Sequence, residues 1–122
     1  MNGERQERGR RAEQLACAFL QRRGLELLER NFRRRLGEID LVLRDGGTLV
    51  IVEVRTRSRQ DYGGAAASID GWKRRRLVRA AQQLLQQRRE LAQMPSRFDV
   101  VIVHEIEGPE PRMEWIRHAF EA

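Results

Sequence analysis

Two carboxylates define the chemistry open to this chain. Asp40 and Glu53 lie in Gly37-Glu38-Ile39-Asp40 and Val52-Glu53-Val54-Arg55, within the β-rich runs Ile39–Arg44 and Thr48–Arg55, which Asp45-Gly46-Gly47 joins. A Gly-Gly pair between apolar runs predicts a two-residue hairpin, because primed turns need positive φ and glycine adopts it without a Cβ clash. With Gly46 and Gly47 as the turn, Asp45 faces Thr48. The same register then sets Asp40 opposite Glu53 and Glu38 opposite Arg55. Directly opposed side chains have Cβ atoms about 4.5–5.5 Å apart, where like charges repel. Two arrangements would relieve that repulsion: a cation shared by both acids, or a solvated patch in which Arg55 and neighbouring arginines neutralise them. Carboxylate oxygens suit magnesium, which takes one or two protein carboxylates and shares substrate phosphate oxygens. Such an ion polarises a phosphodiester and lowers the pKa of attacking water.

The register also predicts two faces. Glu38, Asp40 and Val42 share one with Ile51, Glu53 and Arg55, while Ile39, Leu41, Leu43, Val50, Val52 and Val54 form the apolar one. A slip of one residue would separate the acids, so the site depends on the turn.

Upstream, Ala12, Leu15, Ala16, Phe19 and Leu20 recur at helical spacing from Arg10 to about Arg23, with Gly24 as the stop. Residues 1–9 are polar and expected to be a flexible N-terminus, leaving 10–122 as a single domain. Glu13, early in that helix, either complements the helix dipole or reaches the acidic hairpin. Leu25–Arg33 reads as a strand. Thr56–Ala67 reads as a loop, whose Tyr62-Gly63-Gly64 either closes over the core or offers a ring for a base to stack on. A second helix is expected from Asp70 to Gln93, capped by Ser68 or Asp70, with Leu77, Ala80, Ala81, Leu84 and Leu85 as its buried stripe and Pro95 as the stop. Lys73, Arg74, Arg75, Arg76 and Arg79 crowd its first two turns, where cations oppose the dipole and a phosphate backbone would relieve them. Arg97–Glu105 and Met113–Arg117 follow as strands, the second a short edge. This order predicts an α/β sandwich with a mixed central sheet flanked by helices.

The 122 residues suffice for one domain with a sizeable core. Net charge is +6 with pI near 11.0, a balance that favours polyanionic partners. Lys73 is the only lysine among 24 basic residues. Arginine makes bidentate phosphate contacts, although its excess can equally reflect genome base composition. The single cysteine, Cys17, excludes an internal disulfide and a zinc cluster, and beside the apolar stripe it reads as a buried thiol. His104 and His118 have no partner at ligand spacing and read as structural. No run nears the roughly 18 apolar residues of a membrane helix, and no signal-peptide core is visible, so the expected location is cytoplasmic.

The ordered set Gly37-Glu38-Ile39-Asp40, Val52-Glu53-Val54-Arg55, Tyr62-Gly63-Gly64, Lys73 and Arg97-Phe98-Asp99 resembles the small bacterial YraN family over roughly residues 9–120. That family is similar to archaeal Holliday junction resolvases and to restriction-endonuclease-like nucleases. The resemblance implies a restriction-endonuclease-like three-layer sandwich and magnesium-dependent cleavage of nucleic acid, DNA favoured, with manganese as a substitute. By it, Asp40, Glu53 and the carbonyl of Val54 would hold the metal, with Glu13 as a further acid from the first helix. The motif expects lysine where Arg55 stands, and arginine, with pKa above about 12, is no general base. Arg55 would then clamp phosphate, and Lys73 would either activate water from the second helix or contact phosphate. Arg57, Tyr62, Arg74, Arg75 and Arg76 would hold the backbone. A binding module without turnover, and a subunit whose basic surface meets an acidic protein, are the other readings. A homodimer is compatible with a two-fold substrate but no residue establishes it.

Overall fold

Helix α1 (Asn2–Arg22) starts well before the apolar stripe, so the segment expected to be a flexible terminus is helical. The computed structural model describes residues 2–57 and 70–122; Tyr62, Gly63, Gly64 and Ser68 lie outside them. Charge pairs accompany the early turns: Arg10 Nη1 meets Glu7 Oε2 at 2.9 Å, and Arg8 Nη1 meets Glu107 Oε1 at 3.0 Å. Apolar periodicity carries no signal of such pairs. The helix ends at Gly24, whose φ of 94° lets the Leu25 N–H reach back to the Leu20 carbonyl at 3.1 Å. Leu25 and Leu20 then meet in the core, the apolar contact that accompanies this closure.

Five strands follow: β1 (Glu26–Arg34), β2 (Gly37–Asp45), β3 (Thr48–Arg57), β4 (Ser96–His104) and β5 (Arg112–Phe120). They form one sheet in the order β1-β2-β3-β4-β5, antiparallel except for the parallel pair β3–β4. Helix α2 (Gly71–Gln87) lies between those two strands in the chain. Its N-cap is Asp70, whose carboxylate accepts the Lys73 N–H at 2.9 Å. The helix breaks at Arg88, and a 3₁₀ turn over Arg89–Gln93 carries Leu91 into the core, so the expected single helix to Gln93 is two pieces.

The two helices cover opposite faces of the sheet. Ala16, Cys17 and Leu20 of α1 pack on Leu41, Leu43, Val50, Val52 and Val101. Leu77, Ala80, Ala81 and Leu84 of α2 pack on Val42, Ile51, Val100 and Ile102. Central strands are therefore apolar on both sides, and the expected division into one charged and one apolar face fails at Val42 and Ile51. It fails at Ile39 too, which joins the α2 side while Leu41 stays with α1. Opposite these residues Asn31 takes a φ of 51°, between Arg30, which reaches Cys17 on the α1 side, and Phe32, buried on the α2 side. A left-handed residue breaks the simple alternation of a strand.

At the far end of the sheet, the Arg97-Phe98-Asp99 segment builds a buried ion network. Asp99 is 0% exposed and takes Arg97 Nε at 3.1 Å, Trp115 Nε1 at 2.9 Å and the His118 N–H at 3.1 Å. Arg97 Nη2 continues to Asp45 Oδ2 at 3.0 Å beside the hairpin turn. The β4–β5 register shifts between Phe98 and Val100, and His118 has a φ of 51°. The Asp99 carboxylate thus satisfies an amide that the shifted ladder leaves over, and β5 extends past the expected short edge. His104 makes a structural contact, with Glu114 Oε1 at 2.8 Å across the same strand pair.

Candidate active site

The hairpin register is as the turn dictates, from Asp45 opposite Thr48 to Leu41 opposite Val52. Gly46 alone of the two turn glycines has positive φ, 60°, the pattern of a II′ turn. Beyond Leu41 the ladder stops, while β3 continues along β4 as far as Arg57 opposite His104. Alternate antiparallel pairs exchange backbone hydrogen bonds, so a longer ladder would bond Val54 to Ile39. Instead the Val54 N–H donates to Asp40 Oδ2 at 2.8 Å. Asp40 and Glu53 therefore meet through their side chains at a notch where the two strands part.

The notch opens into a cleft of about 300 Å³ lined by Gly9, Glu13, Glu38, Asp40, Glu53, Val54, Trp72, Lys73, Arg76 and Leu77. One wall comes from α1 and the other from α2, so residues from both helical layers converge on the acids. Burial, then the Glu53 charge, pushes the Asp40 carboxyl up to about 8, although the Val54 N–H opposes this. Burial raises Glu53 as well, against the opposing pull of a hydrogen bond from Asp40 and of the Lys73 and Arg55 charges. Glu13 is pushed up to about 7, first by burial and then by Asp40, with Asn31 and Arg33 pulling the other way. Three carboxyls thus compete for negative charge in one half-buried place.

These groups fit a hard divalent ion. All the donors are oxygens, and the raised carboxyls mark charge that a cation would compensate. Among the described residues no group of three His, Cys, Asp or Glu side chains converges in ready metal-binding geometry. One or two carboxylates are the protein share that magnesium commonly uses, with water and substrate phosphate completing its shell.

The other expected residues divide. Lys73 lines the cleft and its charge reaches Glu53; Arg76 lines it also. Arg55 is half-buried on β3 with its charge felt at Glu53. Arg74 turns away, its guanidinium 5.2 Å from the Phe120 ring, and Arg75 is exposed near Gly71. Arg57 ends β3 with Nη1 on the Thr56 carbonyl at 2.8 Å. Glu38, expected opposite Arg55, lies beyond the end of the ladder and makes an ion pair with Arg33 of β1 at 3.6 Å. Tyr62 is outside the described residues.

Two features beside the cleft were not foreseen. Trp72 is 59% exposed on the rim, with the Arg76 guanidinium 5.0 Å from its ring. Its signal in the sequence was an aromatic beside the lone lysine. Gly37 is buried against α2, where an added Cβ would overlap the backbone carbonyl of Arg76. No local pattern announces such a contact between distant backbones. A larger depression, about 590 Å³, lies between the start of α1 and Glu107; of its two arginines, Arg5 and Arg8, the second pairs with Glu107.

Residues 12–103 match the model of "Uncharacterised protein family UPF0102". The chain belongs to the UPF0102 family, and its YraN-like motifs are those of a member. A UPF0102 protein of Pseudomonas aeruginosa (strain LESB58) is 50% identical over 117 residues, 95% of this chain and 94% of that one. One from Dechloromonas aromatica (strain RCB) is 54% identical over 94% of this chain and 89% of its own. One from Alkalilimnicola ehrlichii (strain ATCC BAA-1101 / DSM 17681 / MLHE-1) is 52% identical over 95% and 88%. The α/β architecture, two helices about a five-stranded mixed sheet, agrees with the three-layer sandwich expected of the resemblance. No helix among the described residues is long and apolar enough to cross a membrane.

Proposed function

We propose that this UPF0102 protein is a magnesium-dependent endonuclease that hydrolyses phosphodiester bonds of nucleic acid, DNA and its branched forms foremost. The observation that carries this reading is the pair Asp40 and Glu53, brought together at a strand notch and joined there by Glu13, Lys73 and Arg76. Asp40, Glu53 and the Val54 carbonyl would hold the metal. When bound, the ion supplies Lewis-acid polarisation of the phosphate and a more acidic water. The chain's own groups do the rest. Glu13 accepts a hydrogen bond from water on the α1 side of the notch. Lys73, next to Glu53, orients the attacking water, while Arg55 and Arg76 offset charge that develops on phosphate.

The test is cleavage of end-labelled single-stranded, duplex and branched DNA under magnesium or manganese. Product should form with wild type and vanish with Asp40→Asn and Glu53→Gln, each remaining folded. Undiminished cleavage by Asp40→Asn would refute this site. Arg55 in the expected lysine position favours a second reading, a nucleic-acid-binding module without turnover. That reading predicts affinity falling steeply with salt and no product with either metal.

A further inference from the structure

Among the described residues the exposed large apolar side chains are Trp72 and Leu36, 59% and 46% exposed. Both lie beside the first turns of α2. Trp72 is one turn before Arg76, and Leu36 precedes Gly37, whose backbone meets the Arg76 carbonyl. Trp72 stands on the rim of the acidic cleft, next in sequence to Lys73, which faces Glu53. The Arg76 guanidinium, 5.0 Å from its ring, holds the indole without burying it. At an exposed site that contact is weak. The core clusters do not include Trp72, in contrast to Trp115, which packs on the α1-side core and hydrogen-bonds Asp99.

We infer that Trp72 is a stacking platform for an unpaired nucleobase next to the phosphate held in the cleft, which selects nucleic acid with a single-stranded or unpaired segment. This rests on the reading of the cleft as a nucleic-acid site and names its substrate class. A base within a continuous duplex has both π-faces covered by its neighbours, so only an unpaired or terminal base can present one to the indole. Stacking is indifferent to sequence because every base has a π-face. The Arg76 guanidinium lies against the ring, and Lys73 and Arg75 stand in the same turns of α2, positive charge that suits a phosphate-linked base better than an apolar peptide. The distinction Trp72 makes is structural: unpaired against paired.

The experiment measures fluorescence anisotropy in EDTA, where no turnover occurs. Its probes are a fluorescein-labelled duplex with a single-stranded tail and a blunt duplex of equal length. Trp72→Ala should bind the tailed probe roughly 5- to 150-fold more weakly, the loss of one base stack, and the blunt probe unchanged. Trp72→Phe should recover much of the tailed-probe affinity. Because Trp72 is exposed, the urea midpoint should stay put in both variants. Equal losses on the two probes, or none, overturn the platform, and magnesium-dependent cleavage by wild type would leave the nuclease reading standing in that case. Wild type that binds neither probe, and cleaves neither with magnesium or manganese, overturns both. Wild type that discriminates through Trp72 yet yields no product with magnesium or manganese supports the platform and sinks turnover alone.

Discussion

Replacing Asp40 with asparagine should stabilise the metal-free protein, by an amount that grows with pH. The folded carboxyl keeps its proton up to about 8, against an ordinary value of 3.8. Over that window the folded state binds about one proton more than the unfolded state, so stability falls as pH rises, by about 1.4 kcal/mol per pH unit. Between about pH 4 and pH 7 the loss reaches at most about 4 kcal/mol, the ceiling for a half-buried group with one side open to the cleft. An amide at position 40 keeps an oxygen for the Val54 N–H and offers a donor to Glu53, without a proton to lose. Glu13, raised in part by Asp40, relaxes in the same direction. Urea unfolding of both proteins in EDTA, at steps from about pH 5 to pH 8, isolates this contribution as their difference. The variant's advantage should widen steadily across the series and fade below about pH 4. An advantage that is flat with pH, or a variant less stable throughout, would refute the account of the acid pair. Adding magnesium should then stabilise wild type in proportion to its binding and leave the variant unmoved.

Other perturbations probe separate parts of the molecule. Gly37→Ala forces a Cβ into the Arg76 carbonyl, so α2 must shift; about 1–3 kcal/mol should be lost in urea unfolding, together with affinity for nucleic acid. Asp99→Asn leaves Arg97 without its buried carboxylate partner, and a loss of about 3–5 kcal/mol is expected; a urea midpoint close to wild type would show that the network is dispensable. Lys73→Arg keeps a cation beside Glu53 but not an amine. If the amine orients water, binding should survive in a salt-dependent anisotropy assay while cleavage drops roughly 100-fold or more.

The hairpin was legible because its register is set by two local facts, a glycine pair and the period of the flanking strands. Asp45 through Leu41 pair as those facts require. What they could not convey is where pairing stops. The ladder ends where the Asp40 side chain takes over the Val54 amide, and β2 changes face opposite Asn31 of a third strand, neither of which a local pattern announces. Helix faces were legible for a similar reason: Leu77, Ala80, Ala81 and Leu84 repeat at helical spacing and are the buried set. The early start of α1 was missed because polar pairs such as Arg10 with Glu7 have no apolar period. Of the basic cluster, composition could say that it gathers near a helix start. Tertiary packing sends Arg74 to Phe120, whereas Arg76 reaches Trp72 one turn away on its own helix.

The acids occupy a gap through the sheet, reached from the helical layers above and below it. An ion seated there would act as a rivet through three layers. Its hold would pass to the Glu13 region of α1 and, through the strands whose Val42 and Ile51 pack on it, to α2, helices that sit on opposite faces of the sheet. Occupancy would then slow amide exchange in both helices together, so that two remote segments would open as one unit.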